Sequence, residues 1–368
     1  MQQVSNPVLT SQRPNVPTSQ RSKAPLVTII MPIRNEADYI AQSLGSILAQ
    51  DYPADRIEIL IADGMSDDGT RTIIQRLCHD PNLQPATCNL QLLDNPGRIV
   101  PTAFNIALSR ARGDVIIRVD GHCEIAPDYV RRCVELLEET GADNVGGLQR
   151  AVGEGPVAET IALATSSPFG VGGARFHYAT EPGWADTVYL GAYRRDVFER
   201  IGGFDEELVR NQDDEFNFRL TQTGGKIWLD PSIRSRYYSR ASLCKLWRQY
   251  YQYGFYKVRV IQKRGAVPSP RHLVPATFVL TLLGSWLAAL ITRRRWLALF
   301  VAGPYLVANL IASVLTARRA SHPPSPVSRP PSPAFQLPLA FATLHLAYGL
   351  GFLAGLWHWR NRWGHAEP

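Results

Sequence analysis

The sequence predicts an α/β protein, an open and mostly parallel sheet with flanking helices, followed by a C-terminal membrane region. Three observations lead there. β-Branched runs alternate with helically spaced apolar residues up to about residue 140; aspartates stand just past the ends of two of those runs; and three long stretches after Leu273 carry no charge. Strand–helix alternation is the signature of a parallel sheet covered on both faces, and ligands of such sheets bind beyond the carboxyl ends of the strands.

The elements follow in order. Leu26–Met31 (LVTIIM) reads as a buried strand ending at Pro32, and Ile40, Leu44, Ile47 and Leu48 then fall at i, i+4, i+7, i+8, the spacing of one helix face. Ile57–Ala62 is a second strand, ending at Asp63-Gly64. A helix from about Thr70 buries Ile73, Ile74 and Leu77. Gln91–Leu93 is a third strand, Pro101–Ala111 a helix, and Asp114–Val119 a fourth strand ending at Asp120. The next helix places Tyr129, Cys133, Leu136 and Leu137 on one face and stops before Gly141, a residue suited to the left-handed position after a helix.

Beyond Leu273, Leu273–Ile291, Trp296–Leu315 and Ala334–Trp357 are each about long enough to cross a bilayer core, which takes about 20 residues. Arg and Trp at their ends suit the headgroup level. From Leu273 onward there are eight Arg, one Glu and no Lys or Asp, so this stretch carries the whole net charge of +7. The high pI therefore does not signal a nucleic-acid-binding face, on which basic residues cluster in a folded polar domain. The five cysteines form no C-x-x-C pair, which disfavours a disulfide framework or zinc site and suits a reducing compartment. The divisions expected are a disordered tail over 1–25, a catalytic domain over 26–256, a basic juxtamembrane linker over 257–272, and a membrane region of about three hydrophobic helices over 273–368. If every hydrophobic segment crosses once, the Arg293–Arg295 loop lies on the far side, against the positive-inside tendency, so either that loop is tolerated or one segment is re-entrant.

Four motifs occur in a fixed order: Met31-Pro32-Ile33-Arg34-Asn35-Glu36, then Asp63-Gly64-Met65-Ser66-Asp67-Asp68-Gly69-Thr70, then Val119-Asp120-Gly121-His122, then Asn211-Gln212-Asp213-Asp214-Glu215. Each alone is compatible with turn chemistry or an acidic helix start. Together, over about Pro25–Tyr256, they resemble the family 2 glycosyltransferases, which have the GT-A fold. More narrowly, Asn95–Asn105 (NPGRIVPTAFN), Ser167–Phe176 (SPFGVGGARF) and Asn211–Leu220 (NQDDEFNFRL) are similar to the ExoA-type glycosyltransferases of succinoglycan and other bacterial exopolysaccharide assembly.

The resemblance implies roles. Pro32, Arg34, Glu36, Asp63 and Asp120 would contact the nucleotide sugar, with Asp63 at the base. Asp120 would also hold a divalent cation, Mn²⁺ or Mg²⁺, which offsets the leaving diphosphate's charge as a Lewis acid. The family's second metal aspartate is replaced by His122, which either ligates the metal or lines the pocket; an imidazole ligand tilts the preference towards Mn²⁺. Asp213 aligns with the catalytic base that takes the acceptor's proton, with Asp214 as alternate. Gln212 replaces the usual Glu before it.

The aromatic and basic stretch Tyr237–Tyr256 is either an interfacial amphipathic helix or a buried one. The Gln-x-x-Arg-Trp arrangement of processive synthases is absent, so one sugar is expected per acceptor. The activity implied is inverting transfer of a sugar, from a UDP-hexose donor, to a lipid-linked saccharide in exopolysaccharide biosynthesis, at the cytosolic face of the inner membrane. A polyprenyl-phosphate sugar synthase and a non-catalytic nucleotide-sugar-binding subunit are the alternatives.

Overall fold

Seven consecutive buried residues, Val27–Ile33, form the first strand, β1. Their burial on both sides is what a central parallel strand requires. The computed structural model describes residues 24–79, 89–239, 242–320 and 334–363. Nearly all of the expected tail, and most of the Arg- and Pro-rich linker after Ala317, lie outside them.

After β1 come α1 (Ile40–Leu48), β2 (Ile57–Asp63), α2 (Thr70–Cys78), β3 (Leu90–Asp94), α3 (Val100–Leu108), β4 (Val115–Arg118), β5 (Cys123–Ile125) and α4 (Tyr129–Thr140). Gly141, at φ 64°, ends α4 in the left-handed conformation expected of it. Strands β3-β2-β1-β4 are mutually parallel, with Val27 beside both Ile57 and Val115. Alternation along β1 feeds two layers: Ile29 and Met31 pack with α1 and α4, while Ile30 packs with Phe104 of α3 and Phe216 beyond it.

The second half of the sheet mixes parallel and antiparallel pairs. It comprises β6 (Asn144–Val152), β7 (Gly183–Trp184), β8 (Tyr189–Arg194) and β9 (Ile227–Tyr238), with α5 (Pro156–Thr165), α6 (Pro168–Val171), α7 (Arg195–Ile201) and α8 (Gln212–Gln222) between them. Antiparallel β8 joins β4 to β6, β6 and β9 run parallel, and β5 and β7 pair antiparallel with β9. The sheet is therefore mixed. At Gly147 a Cβ would lie 1.8 Å from the Ile233 carbonyl oxygen, so only glycine lets β6 and β9 approach there.

The chain then leaves the sheet through α9 (Leu243–Arg264), whose first turn is capped by Ser242. This helix crosses the expected boundary at residue 256 without a break. The basic linker expected to follow is also different from that reading. Lys257, Arg259 and Lys263 are buried, not presented to headgroups, because Asp214, Glu207 and Asp205 pair with them. The Tyr237–Tyr256 stretch comprises the end of β9 and the first part of α9, a two-sided helix in which Leu246 and Gly254 are buried while Lys245, Trp247 and Arg248 are exposed.

Among the described residues three helices are long and apolar enough to cross a membrane: α10 (Val274–Thr292), α11 (Trp296–Ala320) and α12 (Leu337–His358). Arg293–Arg295 alone join α10 to α11, with Arg293 at φ 58°. The two expose large apolar side chains such as Leu290 and Phe300, which a hydrocarbon phase would cover. Helix α12 differs. Half of its apolar window is buried inside the molecule, against 17% and 11% for the other two. It packs along α9, where a Cβ at Gly351 would stand 2.0 Å from the Tyr251 carbonyl oxygen and one at Gly254 2.0 Å from that of Tyr348.

Candidate active site

The carboxyl ends of β1 and β4 and the start of α8 border one cavity of about 930 Å³. Pro32, Arg34, Glu36, Asp120, His122, Asp213 and Asp214 all line it. Residues more than 170 positions apart in sequence are thus gathered at one place.

The first two motifs are sewn to each other. The Asn35 amide nitrogen donates to Ser66 Oγ, its side chain donates to Asp67, Glu36 N donates to Thr70 Oγ1, and Ala37 N donates to Asp68. Asp63 organises this loop from below. It is fully buried, accepts from Ser66 N and Oγ, and pairs with Arg71 at 2.9 Å, which also reaches Asp94 at 2.8 Å. Its carboxylate is not on the cavity wall, unlike the other residues singled out from the sequence.

Glu36 has a partner that the sequence did not disclose. Its Oε1 lies 2.8 Å from His122 Nδ1. Gly121 makes this pairing possible, because a Cβ there would be 2.9 Å from both Glu36 Cγ and Ile33 Cγ2. A carboxylate on Nδ1 holds the proton on that nitrogen and leaves Nε2 as an electron-pair donor. Tyr237 stands edge-on to the imidazole, with ring centroids 5.2 Å apart.

Arg118 lines the cavity too and was not singled out from the sequence. It ends β4, with Nε 2.8 Å from Asp120 Oδ1 and Nη1 3.6 Å from Asp213 Oδ2. Burial works against its charge, yet Asp120 and Asp213 outweigh that and raise its pKa above the ordinary value. Its Nη1 is buried without a hydrogen-bond partner. The signal was an arginine inside the otherwise apolar DVIIRV strand. A buried guanidinium is retained only where anions meet it.

The two candidate bases sit differently. Asp213 lies in the first turn of α8, where the helix dipole favours a carboxylate, and its side chain is 45% exposed to the cavity and solvent. Asp214 is tied to the Lys257 ammonium. Burial pushes its carboxyl up, but Lys257 outweighs that and holds it below the usual carboxylate range. A carboxylate held so firmly by a cation is a poor proton acceptor. Asn211 turns the chain into α8 at φ 63° and anchors it by donating from Nδ2 to the Tyr253 carbonyl, 2.8 Å away.

Among the described residues no group of three or more histidine, cysteine or acidic side chains is assembled to hold a metal ion. Asp120 and His122 together offer two donors, and Mg²⁺-type sites commonly use one or two carboxylates plus the substrate's phosphates.

Comparison with known proteins gives the family and the fold. A model of the family described as "Glycosyl transferase family 2" matches residues 28–202. The chain is 32% identical, over 91% of its length and 96% of the relative's, to "Succinoglycan biosynthesis protein ExoA" of Rhizobium meliloti. It is 30% identical, over 90% of its length and 97% of the relative's, to a Methanococcus voltae protein. That relative is named dolichyl N-acetyl-alpha-D-glucosaminyl phosphate 3-beta-D-2,3-diacetamido-2,3-dideoxy-beta-D-glucuronosyltransferase. Among solved structures, the mannosyltransferase PcManGT of Pyrobaculum calidifontis, in complex with GDP-Man and Mn²⁺, superposes with a TM-score of 0.57 at 21% identity. The match covers 92% of this chain and 89% of that one, and it shows the fold, GT-A-like with a mixed sheet.

Proposed function

Since the chain belongs to glycosyl transferase family 2, and is a glycosyltransferase, we propose that it moves one sugar from a UDP-hexose to a lipid-linked saccharide in exopolysaccharide biosynthesis, inverting the anomeric carbon. The observation that carries this reading is the convergence of Asp120, His122, Arg118 and Asp213 on a cavity that also reaches residues of α10 and α12, such as Val274 and Leu344. An acceptor that cannot leave the bilayer has to be met at such a place. Both relatives support the acceptor class: one is named for succinoglycan biosynthesis, the other for a dolichyl-phosphate-borne sugar.

In this reading Pro32, Arg34 and Glu36 frame the donor's nucleotide, and Asp63 shapes the loop that receives its base. The residues present fit a divalent cation: Asp120 and His122 Nε2 would hold Mn²⁺ or Mg²⁺, with Glu36 fixing the imidazole. Such a cation, when bound, neutralises charge on the departing diphosphate. Arg118 contributes a second, permanent positive charge beside Asp120. Asp213 takes the proton of the attacking hydroxyl as the bond to the anomeric carbon forms on the face opposite the leaving group. The catalytic domain would face the cytosol of the inner membrane, with α10 and α11 as its anchor.

The test is nucleoside diphosphate release by the purified full-length protein, given UDP- or GDP-sugars, Mn²⁺ or Mg²⁺ and a lipid-linked bacterial extract. Metal-dependent release with one donor, reduced about 10²–10⁴-fold in Asp213→Asn, is expected, the range typical of a lost general base. Full activity in Asp213→Asn would point instead to a phosphate acceptor, which needs no base. Binding of a nucleotide sugar without turnover would leave only a binding subunit.

A further inference from the structure

The far end of the cavity holds cations that the transfer chemistry leaves unused. Lys257 of α9, 3% exposed, stands there together with Arg271 and His272, which form the turn leading into α10, and with Tyr348 of α12. The catalytic body meets the apolar helices here, as it also does through α5 and α6.

The Ser167–Phe176 stretch builds the wall around Arg271. Gly172, at φ 62°, and Gly173 pass close beside the Arg271 stem, and the Gly173 carbonyl accepts from Nη1 at 3.1 Å. Asp186, half-exposed, pairs with the same nitrogen at 2.7 Å. Both contacts fall on Nη1, so Nε and Nη2 keep their donors. His177 borders the cavity here as well; burial and then the Arg271 charge push its pKa down to about 3, so it stays neutral. Lys257 is paired with Asp214, and His272 Nε2 lies 4.0 Å from the other oxygen of that carboxylate.

His272 Nδ1 and Tyr348 Oη are buried with no hydrogen-bond partner. Unpaired buried polar atoms are costly, and these two, with His177 Nδ1 beside them, stand at the end of the lining away from Arg118, whose Nη1 is also unpartnered, so polar ligand groups are expected at both ends of the cavity. Beyond them Val274, Pro275 and Leu344 continue the wall in apolar character towards the exposed flank of α10. A niche that offers the free Nε and Nη2 donors of Arg271 and the Tyr348 hydroxyl beside two cations, each already met by a carboxylate, opens into an apolar track at the level where the first candidate span begins, and this fits an amphiphile with a hydrogen-bonding anionic head.

We propose that Arg271, Lys257, His272 and Tyr348 form the subsite for the phosphate of the lipid-linked acceptor, distinct from the place of the donor's diphosphate beside Asp120. The inference rests on the reading of the protein as a lipid-acceptor transferase and adds to it the group by which that lipid is held. The subsite places the acceptor's phosphate on the far side of Asp213–Asp214 from the donor, so the saccharide it carries lies between them, against the base.

The experiment compares binding of polyprenyl diphosphate, polyprenol of the same chain length and phosphatidylglycerol to the full-length protein in detergent. Donor binding is measured in parallel. Polyprenyl diphosphate should bind at least tenfold more tightly than polyprenol; Arg271→Gln should abolish most of that ratio and Tyr348→Phe part of it, with affinity for the nucleotide sugar unchanged. Tyr348→Phe removes only a hydroxyl and serves if Arg271→Gln does not fold. Equal binding of diphosphate and alcohol overturns the proposal. So does parallel loss of donor binding, which would assign the cations to the donor, or equal competition by phosphatidylglycerol, which would make the niche a general headgroup site. Should the diphosphate preference appear as expected while no lipid-linked saccharide is ever glycosylated, the transferase reading fails and the subsite stands.

Discussion

Two adjacent aspartates, Asp213 and Asp214, differ in surroundings: Asp213, the proposed base, opens to the cavity, while Asp214 is tied to Lys257. Asp214→Asn leaves the Lys257 ammonium buried without its counter-charge, and removing one member of a buried pair costs about 3–5 kcal/mol. Asp213 is half-exposed, stands at a helix start and lies 3.6 Å from Arg118, which keeps Asp120, so its loss should cost about 1 kcal/mol. Thermal unfolding of the two variants, set beside their activities, checks this: Asp213→Asn inactive with a small loss of stability, Asp214→Asn clearly destabilised. Glu207 carries a pH prediction. The Arg259 fork at 3.0 Å and the Lys263 ammonium at 2.9 Å hold its pKa down to about 2 against burial. An unfolded Glu titrates near 4.3, so this contribution is complete above that pH and is lost as pH falls towards 2. The unfolding midpoint should drop through that window, and Glu207→Gln should flatten the drop. At this scale the sequence disclosed chemistry better than partnership. Asp120, His122 and Asp213 were legible because their motifs stand just past strand ends or at a helix start. The bond from Glu36 to His122, 86 residues apart, was not, since it depends on the bare Cα of Gly121 between them.

Among the elements, those built on a single period were readable and those interrupted were not. Helix α1 shows Ile40, Leu44 and Ile47 at helical spacing, and β1, β2 and β4 are apolar runs, so each was expected within a few residues of where it lies. Strand β6 contains the Gly146-Gly147 pair and β9 contains Pro231, both residues that weaken a strand assignment. Here they serve a register shift between β6 and β9, a tertiary requirement that no local pattern states. The mixed half of the sheet therefore went unread. The same close approach recurs between α9 and α12, and it is testable there. Gly351→Leu should lower the unfolding midpoint by more than an equivalent change at Gly303 of α11, beside which a Cβ meets nothing within 4 Å. Overpacking of this kind costs about 1–3 kcal/mol or more.

For the molecule as a whole, hydrophobicity alone did not distinguish a helix facing lipid from one facing protein. The three stretches after Leu273 read alike, yet α10 and α11 expose their apolar faces and α12 buries half of its own against α5, α6 and α9. The basic residues expected in a linker proved to be internal ions because their acidic partners lie 43–58 residues away in sequence. The Arg293–Arg295 turn offers a test of how the anchor sits. With Cys244 replaced by serine, Arg294→Cys should react with a membrane-impermeant maleimide only from the side opposite the catalytic domain. Labelling from the catalytic side would mean that α10 and α11 do not cross.

The packing of α12 also bears on the order in which the protein comes into being. Residues 337–358 leave the ribosome after every element they touch, and they supply Leu344, His345 and Tyr348 to the cavity wall. A nascent chain holds its first strands early, because β1 to β4 pair within the first stretch synthesised. The cavity wall is not closed until α12 has folded back against α9. On the proposed reading, competence to transfer sugar would thus be withheld until α10 and α11 have been delivered to the bilayer, and an unfinished copy would lack the wall on which an acceptor rests.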